Sequence, residues 1–125
     1  MSRSPAPRID CALDLAMSMI EGKWKAPILC KLVSKGDMRF NQLMRELETV
    51  SPRILTKQLR EMEKDGLINR TVYPEVPACV EYSITERGKS LAPPLKMLAQ
   101  WSLDNMYCNR VVFDEGTVVP NKSSR

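Results

Sequence analysis

Apolar residues recur every three or four positions through most of this chain, and at alternate positions in one short region. Leu13, Met17 and Ile20, with Ala16 alongside, predict a helix over Asp10 to Ile20. Gly22 interrupts that period. Trp24, Ile28, Leu29 and Leu32 then mark a second helix, whose regular part begins near Ala26 because Pro27 suits only a first turn. Gly36-Asp37 closes it. Asn41 is placed to cap a third helix, with Leu43, Met44 and Leu47 facing inward. The short link Glu48-Thr49-Val50 leads to a fourth.

The fourth helix has the most definite signals. Ser51 is a capping residue, Pro52 fits the first helical position, and Asp65-Gly66 ends the run. Leu55, Leu59, Met62 and Gly66 share one face. Arg53, Lys57, Arg60 and Lys64 fall on the opposite face within an arc of about 60°. A capped helix with a cationic outer stripe suits a DNA major groove. The plainer reading is a solvated surface, and Glu61, Glu63 and Asp65 dilute the charge. The neighbouring segments favour the first. Two short helices on a tight link form a helix-turn-helix candidate. Leu67 to Tyr73 reads as a strand, Pro74 to Ala78 as a loop, and Val80 to Ile84 as a second strand. A hairpin directly after a helix-turn-helix gives the winged form. The expected fold is therefore mainly α with a small β-hairpin wing.

Thr85-Glu86 begins a further helix to about Ala92, where Pro93-Pro94 kinks or restarts it. Beyond that point Leu95, Leu98 and Ser102 share one face, and Met97, Trp101, Asp104 and Cys108 another, with Leu103 and Met106 flanking. This is too wide an apolar surface for one packing contact in so small a domain. It predicts a homodimer interface, with burial inside the subunit as the alternative. Leu95, Leu98, Trp101 and Met106 are the interface candidates on this helix. Residues 1–9 read as a flexible arm, 10–108 as the domain with its dimerisation helices, and 109–125 as a partly disordered tail in which Val111-Val112-Phe113 packs or forms a short strand.

Composition narrows the function. With 125 residues there is room for one core. A net charge of +4 permits nucleic-acid binding without requiring it. The absence of histidine removes the commonest general base and metal ligand, and no glycine-rich phosphate loop is present. No catalytic residue, cofactor or metal is expected. No run is apolar enough to span a bilayer, and a cytoplasmic location is expected. Cys11, Cys30, Cys79 and Cys108 stand far apart, without a Cys-x-x-Cys pair. Cys30, beside Ile28 and Leu29, reads as inert core. Cys11 lies near a helix start, where a thiol sits at the positive end of the dipole. It is either a reactive thiol or a small apolar packing residue.

The chain resembles the HxlR-type winged helix-turn-helix transcriptional regulators, relatives of the MarR group, from Cys11 to about Trp101. The resemblance rests on Cys11 ahead of Ala12-Leu13-Asp14-Leu15, then Gly22-Lys23-Trp24-Lys25, Arg39-Phe40, Leu55-Thr56 with Leu59-Arg60, and Asp65-Gly66-Leu67. Tyr73-Pro74-Glu75-Val76-Pro77 and Val80-Glu81-Tyr82-Ser83-Ile84-Thr85 with Gly88 complete it. It implies homodimers joined through the first and last helices, which adds Leu13 and Met17 to the interface candidates, a two-fold-related site on double-stranded DNA, and control of a nearby promoter. It also implies response to an electrophile, an oxidant or a small molecule, in some members through a cysteine placed like Cys11. Ala78 and Cys79 stand where many relatives carry proline and arginine, which puts the wing's share of affinity in doubt. Lys57-Gln58 departs from a frequent order, so target sequence does not carry over.

On this reading the chain is a DNA-binding regulator, expected to repress. Arg53 and Lys57 are the base-reading candidates, and Thr56 meets a base edge or a phosphate. Arg60 and Lys64 are placed for phosphate, and Ser51 for capping with a phosphate contact. Arg39, Asn41 and Gln42 are anchors from the preceding helix, with a surface ion pair as the alternative for Arg39. A competing expectation is a small-molecule or protein-interaction module that has lost DNA binding.

Overall fold

A computed structural model describes residues 8–106, 110–112 and 118–120. The described elements run α1 (Ile9–Ile20), α2 (Lys25–Lys35), β1 (Met38–Arg39), α3 (Phe40–Leu47), α4 (Pro52–Lys64), β2 (Ile68–Tyr73), β3 (Cys79–Ile84), α5 (Glu86–Lys89), α6 (Ala92–Asn105), β4 (Arg110–Val112) and β5 (Val118–Pro120). The core lies where α2, α3 and α4 meet the sheet. Ile28, Leu29 and Leu32 from α2, Leu43 and Leu47 from α3, and Leu55, Leu59 and Met62 from α4 are all buried there. Met38, Leu67, Ile68 and Tyr82 close it from the sheet side. Periods of three and four put each helix's leucines on one stripe, so three stripes converge on one centre.

The sheet has the order β1-β3-β2, antiparallel throughout. Ile68 pairs with Ile84 and Tyr73 with Cys79, so the wing is in register along its whole length. β1 was not expected. Two residues carry no readable period, and Met38 and Arg39 become a strand only by pairing with Tyr82 and Glu81.

Two helix boundaries differ from expectation. Arg39, not Asn41, occupies the N-cap of α3, and its backbone N–H donates to Gln42 Oε1 at 2.7 Å. The pairing of β1 holds Arg39 extended, so the helix must begin at the next residue. The helix after Thr85 ends at Lys89, and a new one starts at Ala92. Pro93 and Pro94 cannot donate within a continuing helix, so α6 restarts with them in its first turn.

Leu103 anchors α6 to the body and is 6% exposed, whereas Met97, Leu98, Trp101 and Met106 are all more than half exposed. α1 has no buried residue, and only Met19 and Ile20 at its end pack on the core. β4 and β5 pair antiparallel, with Val111 opposite Val119, within the segment read as a partly disordered tail. Residues 1–7 of the expected arm, Cys108, and the remainder of the tail lie outside the described residues.

Candidate nucleic-acid interface

The two ends of α4 are built as the sequence requires. Ser51 Oγ accepts from the Ile54 N–H at 3.1 Å, and Pro52 takes the first helical position. At the other end the Leu67 N–H donates to Met62 O at 2.9 Å and the Gly66 N–H to Glu63 O at 3.0 Å. This pair of bonds needs a left-handed residue between helix and strand, and Gly66 supplies it at φ 78°. Leu55, Leu59 and Met62 are sealed in the core. Their burial fixes the rotation of the helix, and Arg53, Lys57, Arg60 and Lys64 are consequently exposed together.

The side chains around α4 are sorted by what already engages them. Pro52, Arg53, Thr56, Lys57, Arg60 and Glu61 line one shallow concavity on the outer face. Thr56 is half-buried, and its hydroxyl donates to Pro52 O at 2.8 Å, so only its oxygen lone pairs face outward. Gln42 is tied to the Arg39 backbone through its Oε1. Arg39 and Asn41 are exposed at the start of α3.

Glu61 is held by charge from two sides. Lys25 Nζ lies 2.8 Å from its Oε1, and Lys57 Nζ lies 4.0 Å from its Oε2. The hydrogen bond from Lys25, against some desolvation, keeps the Glu61 carboxyl below the usual carboxylate range. Glu46 does the same for α3. It meets Lys31 at 3.1 Å and Lys35 at 3.7 Å, and the Lys31 hydrogen bond holds its carboxyl low. These pairs pin α3 and α4 to α2. A lysine on an amphipathic pattern reads as surface, so the burial of Lys25 and Lys31 had no signal in the sequence.

Arg70 is the basic residue that the sequence reading missed. It lies on β2, where it shares with Thr56, Leu59, Arg60, Glu63 and Tyr82 a cavity of about 300 Å³ in the angle between α4 and the sheet. An exposed arginine in the strand directly after a basic helix was the available cue.

The cysteines separate clearly. Cys11 is exposed in the first turn of α1, with its backbone N–H on Asp10 Oδ1 at 2.9 Å. Cys79 is half-buried opposite Tyr73. Cys30 is exposed, which corrects the expectation of a core thiol. Ile28 and Leu29 take the inward face of α2, while Cys30 lines an apolar groove of about 660 Å³ with Val33 of α2 and Leu95 and Leu103 of α6. Of the interface candidates, Leu13, Met17, Leu98, Trp101 and Met106 are exposed, and Leu95 is half-buried against the core. Among the described residues, no cluster of three or more His, Cys, Asp and Glu side chains is placed to hold a metal ion, and no helix is long and apolar enough to cross a membrane.

A tri-helical core, a helix pair on a tight turn and a three-stranded wing define a winged helix-turn-helix protein. The chain belongs to the HxlR-like helix-turn-helix family, whose model matches residues 19–110. It is 48% identical over 91 residues to an uncharacterized HTH-type transcriptional regulator of Methanothermobacter thermautotrophicus, covering 73% of this chain and 69% of that one. A solved structure of a candidate MarR-family transcriptional regulator from Enterococcus faecalis V583 superposes with a TM-score of 0.72 at 40% identity, over 81% of this chain and 91% of that one. The redox regulator HypR in its reduced form gives a TM-score of 0.69 at 38% identity, over 73% and 89% of the two chains. The protein is a transcriptional regulator of helix-turn-helix type, as the resemblance implied, and its relatives are regulators rather than enzymes.

Proposed function

We propose that the protein is a repressor that binds a two-fold-related operator as a homodimer, with α4 in the major groove. The observation that carries this is the placement of charge on α4. Leu55, Leu59 and Met62 are at most 1% exposed, and Arg53, Lys57, Arg60 and Lys64 stand together on the opposite side. In this reading Arg53, near the N-terminal end, and Lys57 read base edges, while Thr56 offers an acceptor to a base-edge amino group, or turns its hydroxyl from Pro52 O to donate to a phosphate. Arg60, Lys64 and Ser51 contact phosphate, and Arg39, Asn41 and Gln42 steady the helix pair from α3.

The exposed apolar faces of α1 and α6 support a two-fold interface through Leu13, Met17, Leu98, Trp101 and Met106, with Leu95 at its inner edge. Exposed apolar surface on two helices of a small domain is what a second copy would cover. The signal in this account is an oxidant, an electrophile or a small molecule, and Cys11 is the residue that receives it. Its exposure on α1 supports that role, as does the likeness to a redox regulator. Such a protein works in the cytoplasm.

The direct test is a mobility-shift measurement with duplex DNA from immediately upstream of the protein's own coding sequence and of its neighbouring genes. Retardation by the purified protein, lost when Arg53 and Lys57 are both changed to alanine, is the expected result. No retardation of any of these duplexes would favour an interaction module that has given up DNA.

A further inference from the structure

The acid within the basic face needs an explanation. Glu61 lines the same concavity as Arg53, Lys57 and Arg60. A carboxylate there opposes an approaching phosphodiester backbone and would cancel Lys57 one turn away. The opposing charge comes from beneath. Lys25, at the start of α2, is 5% exposed and reaches Glu61 Oε1 at 2.8 Å, while Lys57 stays 4.0 Å from Oε2. The Lys25 side chain is 6% exposed and that of Lys57 68%, so the closer pair is also the less screened one.

We infer that Lys25 is a positioning residue for DNA binding, which neutralises Glu61 from the core side and leaves Lys57 a net cation on the outer face. An ammonium in this place is costly to desolvate, and an apolar side chain of the same length would pack there at least as well. What the ammonium adds is control of the charge on α4. The inference rests on α4 as the DNA-binding helix, and it concerns a residue on another helix that touches no DNA.

The test measures affinity for random-sequence duplex DNA by fluorescence anisotropy over a salt series. It compares the parent, Lys25→Met, and Lys25→Met with Glu61→Gln. Lys25→Met should weaken binding roughly three- to tenfold at low salt, because Glu61 then loses its counter-charge from the core side and offsets Lys57 on the face that meets the phosphates. The deficit should shrink as salt rises, and the double variant should return to within about twofold of the parent. A displaced α4 would instead leave a loss that salt does not screen and Glu61→Gln does not repair. Should Lys25→Met not fold, Glu61→Gln alone decides: its amide oxygen still accepts from Lys25, and it should bind at least as tightly as the parent. If Lys25→Met binds like the parent, if the double variant stays as weak as the single one, or if Glu61→Gln binds less tightly, the inference is overturned while the reading of α4 stands. If the parent binds no duplex, both fall.

Discussion

Gly88 lies so close to Leu67 that a β-carbon on Gly88 would fall on the Leu67 carbonyl oxygen, with Ile84 Cγ1 at 2.7 Å. Thr85 makes this approach possible. Its hydroxyl meets Gly66 O at 2.7 Å and accepts from the Gly88 N–H at 3.0 Å. The end of α4, the base of the wing and the start of α5 are thereby joined at one point.

Gly88→Ala should therefore destabilise the fold by about 1–3 kcal/mol or more, since backbone rather than a flexible side chain must give way. Thermal denaturation measures it. An unchanged melting temperature would mean that α5 can slide away from β2 at no cost.

The dimer interface is tested by placing charge on α6. Leu98 and Met106 are 55% and 67% exposed in the single chain. If a second copy covers them, Leu98→Asp or Met106→Asp buries an unpaired carboxylate and should dissociate the protein. Sedimentation should show a dimer for the parent and a monomer for the variants. A monomeric parent would remove this interface from the account.

Stability should fall in acid for a definite reason. Glu46 and Glu61 both titrate below their ordinary value of 4.5, held by Lys31 and Lys25 respectively. A carboxyl depressed by folding stabilises the native state above its unfolded pKa, and that contribution is lost as pH falls through the folded value. The melting temperature should thus decline as pH drops below about 4.5. Glu46→Gln should melt below the parent at neutral pH and approach it in strong acid. Parallel curves would show that Glu46 contributes no pH-dependent stability.

Signal reception is tested at Cys11. Diamide or a quinone should lower operator affinity of the parent. Cys11→Ser should bind DNA and respond far less, because only a change that distinguishes the DNA-competent arrangement can shift it. Equal response in the variant would assign Cys11 to packing. Cys30 then becomes a candidate beside Cys79 and Cys108, since it is exposed rather than buried.

What was legible in the sequence was whatever local chemistry determines. Ser51, Pro52 and Gly66 delimit α4 by rules that act over a few residues, and the leucine period sets its rotation. What escaped depends on partners distant in the chain. β1 exists because β3 lies beside it, and its pairing moves the cap of α3 from Asn41 to Arg39. The exposure of Cys30 follows from the inward turn of Ile28 and Leu29 and from the open groove against α6. Lys25 looks like any surface lysine until α4 brings Glu61 over it. Arg70 joins Arg60 only through the angle between helix and sheet.

The central claim is that α4 reads DNA with its N-terminal part and holds the backbone with its C-terminal part. The measurement is affinity of Arg53→Ala and Arg60→Ala for the operator and for a set of its single-base variants, at several salt concentrations. Arg53→Ala should cost about 1–3 kcal/mol and flatten the preference at one position in each half-site. Arg60→Ala should weaken all sequences alike and reduce the salt slope by about two, one for each protomer's phosphate contact. A change of base preference in Arg60→Ala, with none in Arg53→Ala, would contradict the account.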